Sequence, residues 1–166
     1  LNLFYSSTIY DCTFEVDFCS WTHLTDAPLN WTRNQGRTPS AETGPQVDVT
    51  THTGKKKSSL YNFIIFFVSL AQGWYIFLEV SGVKINDTAR IQSPSIAGST
   101  SKCFEFWYHM HGPDINRLDI LTIDSQNVET TVWTRSGSQG NAWRLGKLKL
   151  NDITDMYNVC IRSIYI

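Results

Sequence analysis

From Asp11 onward the chain is a succession of short apolar or alternating runs separated by polar and Gly- or Pro-containing clusters, and no stretch keeps a 3.6-residue period long enough for a helix. The clearest strand is CFEFWYHM, residues 103–110. There Phe104, Phe106, Tyr108 and Met110 share one face, and Glu105, Trp107 and His109 share the other. After the turn HGPDINR comes LDILTID, in which Leu118, Ile120 and Thr122 alternate with Asp119, Leu121 and Ile123, so that both faces have apolar character. ETTVW, residues 129–133, predicts a third strand. WRLGKLKL, residues 143–150, predicts a fourth, with the Gly-rich turn RSGSQGN between them. Short strands at this spacing favour an all-β sandwich or barrel over a parallel sheet with helices.

One segment breaks the pattern. Residues 60–80, LYNFIIFFVSLAQGWYIFLEV, follow Lys55, Lys56 and Lys57 and have the length of a bilayer span. Asn62, Gln72 and Glu79 interrupt the run, which argues against a span. The stretch 63–68 combines aromatic and β-branched residues without charge or Pro, a composition that aggregates unless it is paired or covered.

Composition narrows the class. A chain of 166 residues with 42% apolar and 13% aromatic content has the material for one globular domain. With 14 Lys and Arg against 15 Asp and Glu, and no basic stripe beyond the three lysines, nucleic acid is not an expected partner. Four Cys and two N-x-S/T sequons, at Asn30 and Asn86, point to an oxidising, extracellular setting. With no starting Met and no signal-like N-terminus, the chain is expected to be a fragment of something longer. No phosphate loop or catalytic triad is evident, and His109 and His111 have no third metal ligand beside them in sequence, so a solvated strand face is expected there.

Taken in order, CTFEVDFCSW (12–21), LNW (29–31), the Gly73-Trp74-Tyr75 strand, ARIQSPSI (89–96), CFEFWYHMHG (103–112) and VWTRSGSQGNAWRL (132–145) resemble the MAM domain, named from meprin, neuropilin and receptor tyrosine phosphatase mu. The resemblance covers nearly the whole chain. It implies a jelly-roll-like antiparallel β-sandwich, no catalysis by the domain itself, and a protein-interaction role in a larger secreted or membrane protein, through a protein partner or self-association. A carbohydrate-binding domain on the same architecture and an accessory domain of a secreted metalloprotease are the alternatives. Trp21, Trp31, Trp74, Trp133 and Trp143 fall within the motifs and are expected to pack the core and sheets.

In the family the first two cysteines pair, which here implies Cys12–Cys19, a short closed loop contributing about 2 to 3 kcal/mol. The partner implied for Cys103 lies beyond a final strand that this sequence does not show, leaving Cys160 as an opportunistic alternative. Some members hold calcium near the positions of Glu15, Asp17 and Asp26, so a structural calcium is the one cofactor considered; Ala27 stands where the family often has a second acid.

The resemblance also divides the chain into a flank (1–10), the domain (11–158) with an atypical insertion at 55–72, and an atypical tail (159–166). Lifting out residues 55–73 joins TTHTG to WYIFLEVSG in the family manner. Translated intron sequence at both places accounts for this, and a genuine insertion loop is the alternative.

Overall fold

The structure, a computed structural model, describes residues 12–39, 43–45, 63–65, 73–80, 82–113, 115 and 117–165. The described residues contain ten strands and no helix: β1 (Thr22–His23), β2 (Thr32–Gln35), β3 (Phe63–Ile65), β4 (Trp74–Phe77), β5 (Thr88–Gln92), β6 (Ser99–Tyr108), β7 (Arg117–Asp124), β8 (Glu129–Ser136), β9 (Arg144–Ile153) and β10 (Tyr157–Ile164). They form an antiparallel five-stranded sheet in the order β1-β5-β10-β7-β8, a three-stranded sheet β3-β6-β9 and a two-stranded sheet β2-β4. β3 is parallel to β6, and the other ladders are antiparallel. Apart from 63–65, the insertion at 55–72 lies outside the described residues, as does the flank up to Asp11.

The core follows from alternation. On β6, Phe104, Phe106, Tyr108 and Met110 of the predicted face are buried, whereas Trp107 keeps 37% of its surface exposed. On the facing sheet, Ile91 of β5, Ile120 of β7 and Val159 and Ile161 of β10 meet them in one cluster with Phe14, Trp21 and Tyr157. β7 is buried on both sides, as its two-faced pattern predicts. Ile120 joins the central core, and Leu121 and Ile123 pack with Cys160 and Leu24 on the other face.

Two expectations are corrected here. Residues 159–164 are not a tail beyond the domain. They belong to β10, which lies between β5 and β7 and is paired to both, with Ile161 opposite Ile91 on one side and Ile120 on the other. The physical reason is the period-2 pattern of YNVCIRSI, which sends Val159 and Ile161 into the core and Cys160 and Arg162 to the opposite face. The second concerns Cys103 and Cys160, which are free thiols. Cys103 lies on the face of β6 turned away from Phe104, and Cys160 on the outer face of the other sheet, so the core separates them.

Candidate functional site

Near the N-terminus Cys12 and Cys19 form a disulfide with Cα atoms 5.8 Å apart. The loop they close is held from β2, where the Arg33 guanidinium donates from Nε to the Phe14 carbonyl and from Nη2 to the Glu15 carbonyl, both at 2.8 Å. The same guanidinium lies 4.2 Å over the Trp74 ring. Glu15 Oε1 accepts the Trp74 backbone N–H at 3.2 Å, and Asp17 Oδ1 accepts the Cys19 N–H at 2.5 Å.

Asp26, the third acid considered for calcium, is engaged elsewhere: its carboxylate pairs with Arg90 of β5. The structure does not bring Glu15, Asp17 and Asp26 together, and among the described residues no three His, Cys, Asp or Glu side chains converge as a metal site. A buried guanidinium is a strong competitor for a nearby carboxylate, because an unpaired charge in that setting is costly.

Arg90 is 9% exposed and begins an ion-pair network across the outer face of the large sheet. It binds Asp26 and Glu129, and Glu129 also receives Arg162 Nη1 at 3.4 Å. Arg162 Nη2 then reaches Asp119 Oδ2 at 2.9 Å, Arg117 Nε reaches the same oxygen at 3.1 Å, and the Thr134 hydroxyl donates to Asp119 Oδ1 at 2.7 Å. Asp119, 2% exposed, is thus compensated by two guanidiniums and a hydroxyl. Cys160 sits beside Arg90; burial pushes its thiol up from the ordinary value and Arg90 opposes that shift. A buried neutral thiol of this kind is a packing group and a poor nucleophile.

Both sequon asparagines are exposed, Asn30 just before β2 and Asn86 in the turn that leads into β5. Asn86 adopts a positive φ of 73° and donates its backbone N–H to the Tyr165 carbonyl at 2.6 Å, so its side chain is carried on a fixed turn. Of the five tryptophans named from the motifs, Trp21 is buried and Trp31, Trp74 and Trp133 pack against the core. Trp143 meets Tyr75 edge-on at 5.7 Å.

A cleft of about 1050 Å³ is lined by residues of all three sheets. Residues 75–80 form one wall and 106–112 another; Leu118 and Ile161 of the large sheet also line it. His109 and His111 stand on its wall with ring centroids 6.2 Å apart. His109 Nε2 meets Asn141 Oδ1 at 3.1 Å, and its ring contacts Trp143 at 5.6 Å. Burial lowers the His109 pKa below its usual value, the Asn141 hydrogen bond opposes this, and the neighbouring His111 adds to it. The expectation of a solvated histidine face is therefore replaced by a partly buried pair at a cleft. The alternation of CFEFWYHM could not reveal this, because the other wall comes from β4, distant in sequence.

Comparison with known proteins gives one consistent answer. The family model of the MAM domain, meprin/A5/mu, matches residues 12–165. The chain is similar to Neuropilin-1a of Danio rerio, 32% identical over 154 residues, which is 90% of this chain and 14% of that protein. It is also similar to MAM domain-containing protein 2 of Homo sapiens, 30% identical over 135 residues, which is 80% of this chain and 17% of that protein. Neuropilin-1 of Xenopus laevis is 28% identical over 160 residues, covering 92% of this chain and 14% of that protein. The chain thus spans about a sixth of the length of these relatives or less.

Proposed function

Because the chain belongs to the MAM domain family, we propose that it is a non-catalytic extracellular module of a larger secreted or membrane protein, and that it works by binding a protein partner or a second copy of itself. The observation that carries this is the family match across residues 12–165. The Cys12–Cys19 disulfide and the exposed sequons at Asn30 and Asn86 support an oxidising, glycan-adding compartment. Glycans at those two asparagines would keep their surroundings out of any close interface.

The carbohydrate-binding alternative draws less support, since Trp21 is buried in the core and Trp31, Trp74 and Trp133 pack against it. The accessory-domain alternative concerns the parent protein and is compatible with a binding role for this part.

The test is secretion and binding together. The chain, given a leader and expressed in eukaryotic cells, should be secreted with two glycosidase-sensitive mass increments, each lost with its own Asn30→Gln or Asn86→Gln substitution. Presented as an Fc fusion, it should bind cells or itself in a saturable manner. A secreted, folded chain that binds neither proteins nor itself, while retaining glycan-array binding, would sink the reading.

A further inference from the structure

The loop between β8 and β9 runs along the cleft, where Ser138, Asn141 and Trp143 line it. Its shape is kept from within. Gln139 Nε2 donates to the Ser136 carbonyl at 2.9 Å, the Ala142 N–H to the Gly140 carbonyl at 2.9 Å, and Arg144 Nε to the Gln139 carbonyl at 2.8 Å. Three contacts tie it to the segment that follows β6: the Gln139 N–H donates to the Met110 carbonyl at 2.7 Å, His109 Nε2 meets Asn141 Oδ1 at 3.1 Å, and the His109 ring lies edge-on to Trp143 at 5.6 Å. Two of the three run through His109. Trp143 is held as well by Tyr75, at 5.7 Å, which makes it the fixed end of the loop. Gly137 and Gly140 have positive φ values of 68° and 87°, so the remainder carries two turning points in a conformation that glycine adopts without strain.

A proton is poorly accommodated at His109 in this arrangement. With Nε2–H donating to Asn141, the neutral ring keeps its lone pair on Nδ1. Protonation turns Nδ1 into a second donor, and that atom is buried without a hydrogen-bond partner; an unmet buried donor costs free energy. His111 repeats the problem. Its Nδ1 is also buried and unpartnered, and its ring centroid is 6.2 Å from that of His109, so two imidazoliums would repel each other. The other charged side chains that the described elements bring to this place are Glu79 beyond β4, Arg117 on β7, which is paired with Asp119, and Arg144 at the start of β9. The phenols of Tyr75, Tyr108 and Tyr165 complete the titratable groups lining the cleft among the described residues. Burial, with His111 adding to it, lowers the His109 pKa, and the Asn141 bond opposes the shift. A lowered value means that the closed loop favours the neutral ring: its stability is complete above the ordinary imidazole range and is lost as pH falls through the lowered value.

We propose that residues 137–142 are an acid-released strap: protons taken up by His109 and His111 break its ties to 109–110, and the strap leaves the cleft while the sheets beneath stay folded. The opening is local because Phe106, Tyr108 and Met110, which lead into the histidines, remain in the core cluster. It requires nothing of what the cleft holds.

The experiment follows hydrogen exchange of the whole glycosylated chain by mass spectrometry at about pH 7.4 and about pH 5, on either side of the imidazole range, with the rates corrected for the pH dependence of chemical exchange. The expected result is a rise of about tenfold in the corrected exchange of 138–142 at the lower pH, with 104–108 and 118–123 unchanged. His109→Phe keeps a ring in place and takes up no proton, so its strap should stay protected at both pH values. Should that variant misfold, an imidazole titration of the native chain by NMR takes its place, and the strap must open at the midpoint of the His109 resonance. Equal corrected exchange of 138–142 at the two pH values overturns the proposal, as does loosening of 118–123 to the same extent. A His109→Phe chain that keeps the full pH response, or a His109 midpoint separate from that of the opening, overturns it too.

Discussion

Gly146 is the third residue of β9, directly opposite Phe106 of β6. A Cβ placed there would meet the Phe106 ring at 2.5 Å to Cζ, 2.7 Å to Cε1 and 2.9 Å to Cε2. Ordinary carbon contacts begin near 3.5 Å, so the ring would have to retreat by about 1 Å. It has little room to do so. Phe106 is 4% exposed, stacks on Phe104 at 5.2 Å and meets the Trp133 ring at 5.0 Å. Overpacking of a filled core costs about 1 to 3 kcal/mol. The loss of backbone freedom in the unfolded chain returns about 0.4 to 1 kcal/mol for Gly→Ala. Gly146→Ala should therefore destabilise the domain by about 1 to 2 kcal/mol, lowering the melting temperature by roughly 2 to 8 °C for a domain of this size. Urea and thermal unfolding measure the single variant. The pair Gly146→Ala with Phe106→Leu then isolates the cause, because a shorter side chain relieves the clash and makes the two effects less than additive. A neutral or stabilising Gly146→Ala, or strict additivity in the pair, would refute the reasoning.

Other consequences are open to direct measurement. Asp119→Ala leaves Arg117 and Arg162 without the carboxylate they share and should cost about 3 to 5 kcal/mol in urea unfolding, with Asp119→Asn costing less. Replacing Cys12 and Cys19 together by Ser should remove about 2 to 3 kcal/mol through the unfolded chain, while the native spectrum of the core tryptophans is kept. The His109 pKa is depressed by burial below the ordinary 6.5; the unfolded chain therefore takes up its proton first, and stability present above that value should decline as pH falls through it. His109→Phe should flatten that part of the stability profile. In native alkylation Cys103, which is partly exposed, should react well before the buried Cys160, and the order should vanish in denaturant. Transcripts joining codon 54 to codon 73 are expected if residues 55–72 are read-through sequence; mature message that always contains those codons would exclude that account.

The strands were legible where one face is apolar and the other polar, as on β6. They were legible on β7 as well, where apolar residues on both faces announced burial on both sides. The family resemblance places residues 159–164 outside the domain, whereas their own alternation places them in a strand of it. YNVCIRSI alternates as well as any other strand among the described residues. Its two ladders, to β5 and β7, show that the alternation was the sounder guide.

The carboxylates show a different limit. Glu15, Asp17 and Asp26 lie within a dozen residues of one another, and proximity in sequence is what made them a candidate cation site. What decides the fate of Asp26 is Arg90, 64 positions away, carried by β5 onto the outer face of the large sheet and there also bound to Glu129. The cleft has the same origin. Its histidines belong to one short motif, but the wall opposite them follows β4 and its floor includes β10. Sequence alternation tells which side chains leave a strand on the same side. It carries no information about which distant strand will supply the opposing charge or the facing wall. Here the ladder register supplies it: Arg162 lies between Arg90 on β5 and Asp119 on β7. That row sets Arg90 and Arg162, two like charges, side by side, and such an arrangement is tolerable because Glu129 bridges both while Asp119 takes up the remaining charge of Arg162. The acids of this network thus serve the cohesion of the sheet.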